Sequence, residues 1–207
     1  HQYCIGLDPS LGTGGDYAAL EIIELPTMMQ IGEWQHNKTP IQRQIVIMKE
    51  ICDYLYEVTG SDTDIYYSVE NNTIGEASLI AIAEIGEENI HGTFLTEPKK
   101  VGNVRTYRRG FNTTHKSKLT TCAKLKSLIE TQRMHIASKN LISELKTFVA
   151  VGNSFKAKIG ETDDLVMSLI LVLRMVQMLQ SYDAELDQRL RDGLDDFIEP
   201  MPFIMTM

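Results

Sequence analysis

Three acidic positions are distinguished by where they fall. Asp8 closes a short apolar run, Tyr3-Cys4-Ile5-Gly6-Leu7. Glu70 closes another, in which Ile65, Tyr67 and Val69 alternate with Tyr66 and Ser68. Asp163 and Asp164 open a long apolar stretch. If the two runs are parallel neighbouring strands, Asp8 and Glu70 leave the sheet at one edge, and the start of a late helix can bring Asp163 opposite them. Carboxylates gathered in this way repel one another unless cations lie between them. A donor set made only of oxygen suits hard cations such as Mg2+ or Mn2+. Singly, each position has an ordinary role: Asp8 as a turn residue, Glu70 as a solvated strand end, Asp163 and Asp164 as complements to a helix N-terminus. Only the combination points to chemistry. Asp16 is either a further carboxylate of the metal shell or a plain turn residue.

Other chemistries find little support. The turn Pro9-Ser10-Leu11-Gly12-Thr13-Gly14-Gly15-Asp16 has neither the Gly-Lys-Ser/Thr of a phosphate loop nor the dinucleotide fingerprint. Its glycines are equally well explained by a tight turn. His36, His91, His115 and His135 show no metal-ligand spacing, and no Ser or Cys is placed with a His as a nucleophile requires. Cys4, Cys52 and Cys122, odd in number and far apart, read as free thiols of a reducing compartment.

Charge is segregated. The chain of 207 residues carries a net charge of −8, yet residues 99–126 hold nine basic side chains and no Asp or Glu. The remainder has 11 basic against 28 acidic residues. One positive segment on an acidic body marks a partner, where the average charge does not. No membrane span is expected: the longest apolar run, residues 165–173, has nine residues and ends at Arg174, against about 20 for a span. A sequence beginning at His1 also reads as a piece of a longer chain.

The elements that must position these residues follow from pattern. Strands are expected over residues 3–8, 17–25 and 28–36, as an antiparallel meander. A helix follows from Thr39-Pro40, with Thr39 as its cap and Ile41, Ile45, Met48, Cys52 and Leu55 on one face, stopped at Gly60. A strand over 65–69, a helix over 77–85 and a short strand over 90–95 come next. Residues 99–111 read as a hairpin or loop. Residues from 114 read as a helix burying Leu119, Cys122, Leu125 and Ile129. A helix over 140–149, a small hairpin over 151–159 and a buried helix over 162–180 complete the pattern. The fold class is α/β, with helices packed on a mixed central sheet in one domain, residues 1–180. Residues 181–207 are expected to be an acidic, loosely ordered tail.

The motifs Gly6-Leu7-Asp8-Pro9-Ser10, Gly15-Asp16-Tyr17-Ala18-Ala19-Leu20, Val69-Glu70-Asn71-Asn72 and Asp163-Asp164-Leu165-Val166-Met167-Ser168-Leu169 resemble those of the C-terminal nuclease domain of the tailed-phage large terminase subunit. The similarity covers residues 3–180, and the last motif is the most specific. The resemblance implies an RNase H-like fold and a metal-dependent endonuclease that cuts concatemeric double-stranded viral DNA during packaging. It implies that Asp8, Glu70 and Asp163 are catalytic and that the same three, with Asp164, bind metal. It also implies an N-terminal ATPase domain elsewhere in the full-length chain, portal and small terminase subunit as partners, and action in the host cytoplasm at the procapsid portal.

Phosphodiester chemistry is consistent with this. Two Mg2+ or Mn2+ ions about 4 Å apart can activate a water and stabilise the departing 3′ oxygen. Asp8 would bridge both, Glu70 would hold one, and Asp163 with Asp164 the other. Arg105, Arg108, Arg109, Lys116 and Lys118 are the candidate phosphate contacts. Three other readings stand beside this one: a Holliday-junction resolvase-like nuclease, an actin-like or sugar-kinase-like ATPase, and a non-catalytic DNA-clamping or portal-docking module.

Overall fold

The computed structural model describes residues 1–72, 74–101, 104–152, 154–182, 186, 188 and 190. Its centre is a five-stranded mixed sheet of order β3-β2-β1-β4-β5. β1 (Gln2–Asp8), β2 (Ala18–Leu25) and β3 (Met29–His36) form the expected antiparallel meander. α1 (Ile41–Thr59) then crosses back, so that β4 (Ile65–Val69) runs parallel to β1, and β5 (Thr93–Phe94) follows α2 (Gly75–Ile85) parallel to β4. Apolar side chains alternate across β1: Ile5 and Leu7 pack with α1, while Cys4 faces the other layer.

That second layer is built on α5 (Asp164–Tyr182), flanked by α3 (His115–Glu130) and α4 (Lys139–Thr147). α5 is apolar on nearly every side because it lies between the sheet and these helices. By length and composition it could cross a membrane, but its residues fill the core. Close approach to β1 requires Gly6. A Cβ there would fall 2.8 Å from Val172 Cγ2, and Ser168 Oγ donates to the Gly6 carbonyl at 2.9 Å. The helix that carries Asp163 and Asp164 at its head is thereby pressed onto the strand that ends in Asp8.

Two hairpins project from this body: β6 (Glu97–Val101) with β7 (Val104–Arg108), and β8 (Phe148–Val151) with β9 (Ser154–Ala157). The first overlaps the hairpin or loop expected over 99–111; the second begins at Phe148, inside the stretch 140–149 expected as helix, because α4 ends at Thr147. α3 begins with a capping box in which the Thr114 hydroxyl accepts from Ser117 N and the Ser117 hydroxyl accepts from Thr114 N.

Two local expectations are corrected. Thr39 does not cap α1; Pro40 occupies that position, and the Thr39 hydroxyl pairs with His36 Nδ1 at 2.7 Å. The buried face of α3 is Thr121, Cys122, Leu125 and Leu128, while Leu119 and Ile129 are exposed. The apolar residues of α3 span more than one face, and its packing against α5 selects which of them is covered. Of the expected tail, Ser181 and Tyr182 continue α5, and Leu186 and Leu190 lie buried in the core; residues 183–185, 187, 189 and 191–207 lie outside the described residues.

Candidate active site

β1 and β4 pair in register from Tyr3 with Ile65 to Leu7 with Val69, and Glu70 N donates to the Leu7 carbonyl at 2.9 Å. Asp8 and Glu70 therefore leave the sheet side by side. The Glu70 backbone is fixed from its other side by Phe111, whose N–H donates to Val69 O at 3.0 Å and whose carbonyl accepts from Asn71 N at 2.6 Å. Asn71 Nδ2 adds a bond to the Arg109 carbonyl at 2.7 Å, and Asn72 Oδ1 accepts from Ile74 N and Gly75 N, starting α2. The two asparagines after Glu70 thus lock its position.

Burial, and then the adjoining Glu70 carboxylate that hydrogen-bonds to it, push Asp8 well above the usual carboxylate range; Asp164 and Asp163 add to the effect. Asp164 is pushed up to about 6, first by burial and then by Glu144, with Asp163 and Asp16 contributing. Its Oδ2 accepts from Tyr17 N at 3.4 Å. Asp163 Oδ2 accepts from Ala157 N at 3.2 Å and lies 3.9 Å from Lys118 Nζ, which sits over the Phe148 ring at 5.4 Å. Asp8, Glu70, Asp163 and Asp164 are thus brought to one end of the sheet, within reach of one another's charge. Among the described residues, no three acidic, His or Cys side chains are closed around a common ion position. The Tyr17 and Ala157 amides each hold one oxygen of the two helix-head aspartates.

The glycine-rich turn passes beside this end. Gly12 has φ +70, and a Cβ on it would fall 2.3 Å from the Thr39 carbonyl, so glycine is demanded by the turn itself. Gln44, buried on α1, holds the turn: its Nε2 donates to Ser10 O at 2.8 Å and to Thr39 O at 2.7 Å. Asp16 is exposed, and its charge is the smallest of those that push Asp164 up.

The expected basic residues divide. Lys118 stands at the carboxylates. Lys116 lines a cavity of about 450 Å3 between the base of the β6–β7 hairpin, the start of α3 and α5. Arg109 pairs with Glu87 and lies over the Phe94 ring at 5.2 Å. Arg105 and Arg108 occupy β7, opposite Lys100 and Glu97, and their side chains lie outside the described residues.

Arg174 and Glu144 escaped the sequence reading. Arg174 is 6% exposed within α5, pairs with Glu97 at the start of β6, donates to Thr113 Oγ1 at 3.2 Å and stacks on Phe111 at 5.2 Å. It fastens the basic hairpin to the core. A lone cation at the end of an apolar run was the available signal. Arg174→Ala removes a buried side chain with its packing on Phe111 and its bonds to Thr113 and Glu97, while Glu97 is left partly solvated, so unfolding free energy is expected to fall by about 2 kcal/mol in urea titrations. Arg174→Met combined with Glu97→Gln should recover most of that loss, and equal loss in both variants would contradict this account.

No protein-family model matches the chain. Its fold is shared with solved nuclease domains of viral terminases. It is similar to the large terminase nuclease of thermophilic phage G20c with bound magnesium: 23% identity, 84% of this chain and 81% of that one covered, TM-score 0.58. It is similar to the nuclease domain of the Thermus phage P74-26 large terminase, at 23% identity over 83% and 78% with TM-score 0.53. It is also similar to the human cytomegalovirus terminase nuclease domain, at 12% identity over 91% and 86% with TM-score 0.64. The fold is RNase H-like, as the sequence motifs implied.

Proposed function

We propose that the chain is a metal-dependent DNA endonuclease, the nuclease domain of a large terminase that cuts concatemeric double-stranded viral DNA during genome packaging. The observation that carries this reading is the convergence of Asp8, Glu70, Asp163 and Asp164 at the end of strands β1 and β4 in an RNase H-like sheet. Similarity to terminase nucleases solved with magnesium and after manganese soaking supports it.

The site fits Mg2+ or Mn2+ chemically. Every donor is a carboxylate oxygen, and burial with like charge holds Asp8 and Asp164 above the ordinary range, the imbalance a hard divalent cation relieves. Asp8, Glu70, Asp163 and Asp164 would hold two ions, with Asp16 as an outer carboxylate. Such ions, when bound, acidify the attacking water and stabilise the departing 3′ oxygen. The protein supplies alignment: paired strands fix Asp8 against Glu70, and α5 fixes Asp163 and Asp164 across from them. Lys118 places a positive charge beside Asp163, suited to a scissile phosphate.

Lys116 and Lys118, with Arg105, Arg108 and Arg109, would track the phosphate backbone without reading sequence. Lys116→Ala is expected to weaken binding of unrelated duplexes equally and to reduce the slope of log affinity against log salt by about 1, measured by fluorescence anisotropy in EDTA. A loss confined to one duplex would point to base readout instead. By the same reading, the N-terminal ATPase domain belongs to the full-length chain. The portal and small terminase subunit are its partners, and it acts in the host cytoplasm at the procapsid portal. The test is relaxation of supercoiled plasmid with Mn2+, Mg2+ or EDTA. Cutting that requires a divalent ion is expected; absence of cutting with either ion would overturn the reading.

A further inference from the structure

We propose that Glu144 of α4 is a positioning residue that caps α5 from outside and so frees the Asp163 carboxylate for ion binding; this inference rests on the reading of Asp163 as a ligand. Met167 N donates to the Asp163 carbonyl at 2.8 Å, which places Asp163 in the capping position just ahead of α5. An aspartate there ordinarily turns its own carboxylate onto the amides two and three residues later. Here those amides go elsewhere. Val166 N donates to Glu144 Oε2 at 3.1 Å, and the Leu165 amide is directed to the same carboxylate. Thr162 Oγ1 donates to Glu144 Oε1 at 3.0 Å. Glu144 thus grips the chain on both sides of Asp163 and brings negative charge to the head of α5.

Relieved of capping, Asp163 turns toward Ala157 N and Lys118. Both Glu144 oxygens are turned to Thr162 and the first amides of α5, so its part is to hold the helix head, not to bind the ion. It is 6% exposed, on a helix whose own start is capped by Ser138 Oγ accepting from Leu141 N at 2.9 Å, with Leu141 fully buried in the core. The grip is therefore set by packing of α4 against α5. Without it, the exposed amides of α5 would compete with the ion for Asp163.

The experiment is Mn2+ titration by calorimetry on the whole chain, without DNA, for the wild type, Glu144→Ala and Glu144→Gln, with a thermal melt of each. Glu144→Ala is expected to raise the Mn2+ dissociation constant about 10–100-fold, the usual consequence of losing a residue that orients a ligand. Glu144→Gln should stay within about threefold of wild type, because its amide oxygen still accepts from Val166 and the Thr162 hydroxyl can reverse its bond. Equal weakening by Ala and Gln would mark Glu144 as a ligand and overturn the proposal, as would unchanged affinity in a folded Ala variant. Should Glu144→Ala fail to fold, Glu144→Asp replaces it. One methylene shorter, it cannot span both sides of Asp163, and weaker binding is expected; unchanged affinity again overturns the proposal. A wild type that binds no Mn2+ would remove the ion-binding reading itself. Binding by the wild type and equally by the Ala variant would remove only the role of Glu144.

Discussion

Asp8→Asn is expected to abolish ion-dependent plasmid cutting and, at the same time, to stabilise the ion-free protein. Both effects follow from the position of Asp8. It stands where β1 ends, against Glu70 and within reach of Asp163 and Asp164. Asparagine has nearly the same shape and can donate to Glu70, but lacks the charge that would bridge two cations. A fall of about a thousandfold in cutting corresponds to roughly 4 kcal/mol of barrier, within what ion-assisted hydrolysis supplies. In the absence of ions, the substitution removes a carboxyl that burial, the Glu70 charge and the charges of Asp164 and Asp163 keep from ionising freely. The melting temperature in EDTA should therefore rise. Addition of Mn2+ should raise the melting temperature of the wild type and leave that of Asp8→Asn unmoved. Gel relaxation assays and thermal melts test the two halves separately. A variant that still cuts would dismiss Asp8 as a catalytic residue; one that melts earlier in EDTA would show that the cluster is not under repulsion.

The second large effect concerns Glu21, away from the site. Glu21 lies on β2 opposite Gly6 and Glu33, with no solvent exposure. Gln30 Nε2 donates to its Oε2 at 2.8 Å, while Oε1 has no hydrogen-bond partner. Burial pushes its carboxyl up to about 9; the Gln30 bond opposes that, and Glu33 and Glu144 add to it. A carboxyl raised on folding keeps a proton that the unfolded chain has released. Unfolding free energy should then fall as pH rises from the ordinary carboxylate value of 4.5 toward about 9. One proton contributes a slope of at most about 1.4 kcal/mol per pH unit. Glu21→Gln removes the titration but keeps an acceptor for Gln30. It should match wild type near pH 4.5 and exceed it progressively at higher pH, in urea titrations across that range. Parallel pH profiles for the two proteins would mean that Glu21 is ionised in the folded chain.

Most elements were legible because their signals are local. Alternation in residues 65–69, the face of α1 and the helical pattern that begins at residue 114 each lie within a few residues of chain. The misread details were contests between local options. Thr39 could cap α1, but its hydroxyl pairs with His36 instead. Leu119 and Ile129 could lie inward on α3, but packing on α5 favours Leu128. Nothing within α3 decides that choice.

The sequence by itself determined the acidic residues at the ends of two strands and the head of a late helix. It also determined the segregation of positive charge and the order of elements that makes an RNase H-like sheet attainable. Only the tertiary structure decided that β1 and β4 lie in parallel register and that Gly6 lets α5 press against them. It alone decided that Glu144 rather than Asp163 caps that helix, and that Arg174 ties the basic hairpin to the core. The reason is separation along the chain. Strand ends and helix starts are encoded by neighbouring residues. The bonds from Glu144 to Val166 and from Arg174 to Glu97 join residues 22 and 77 positions apart, and they exist only once packing brings those elements together.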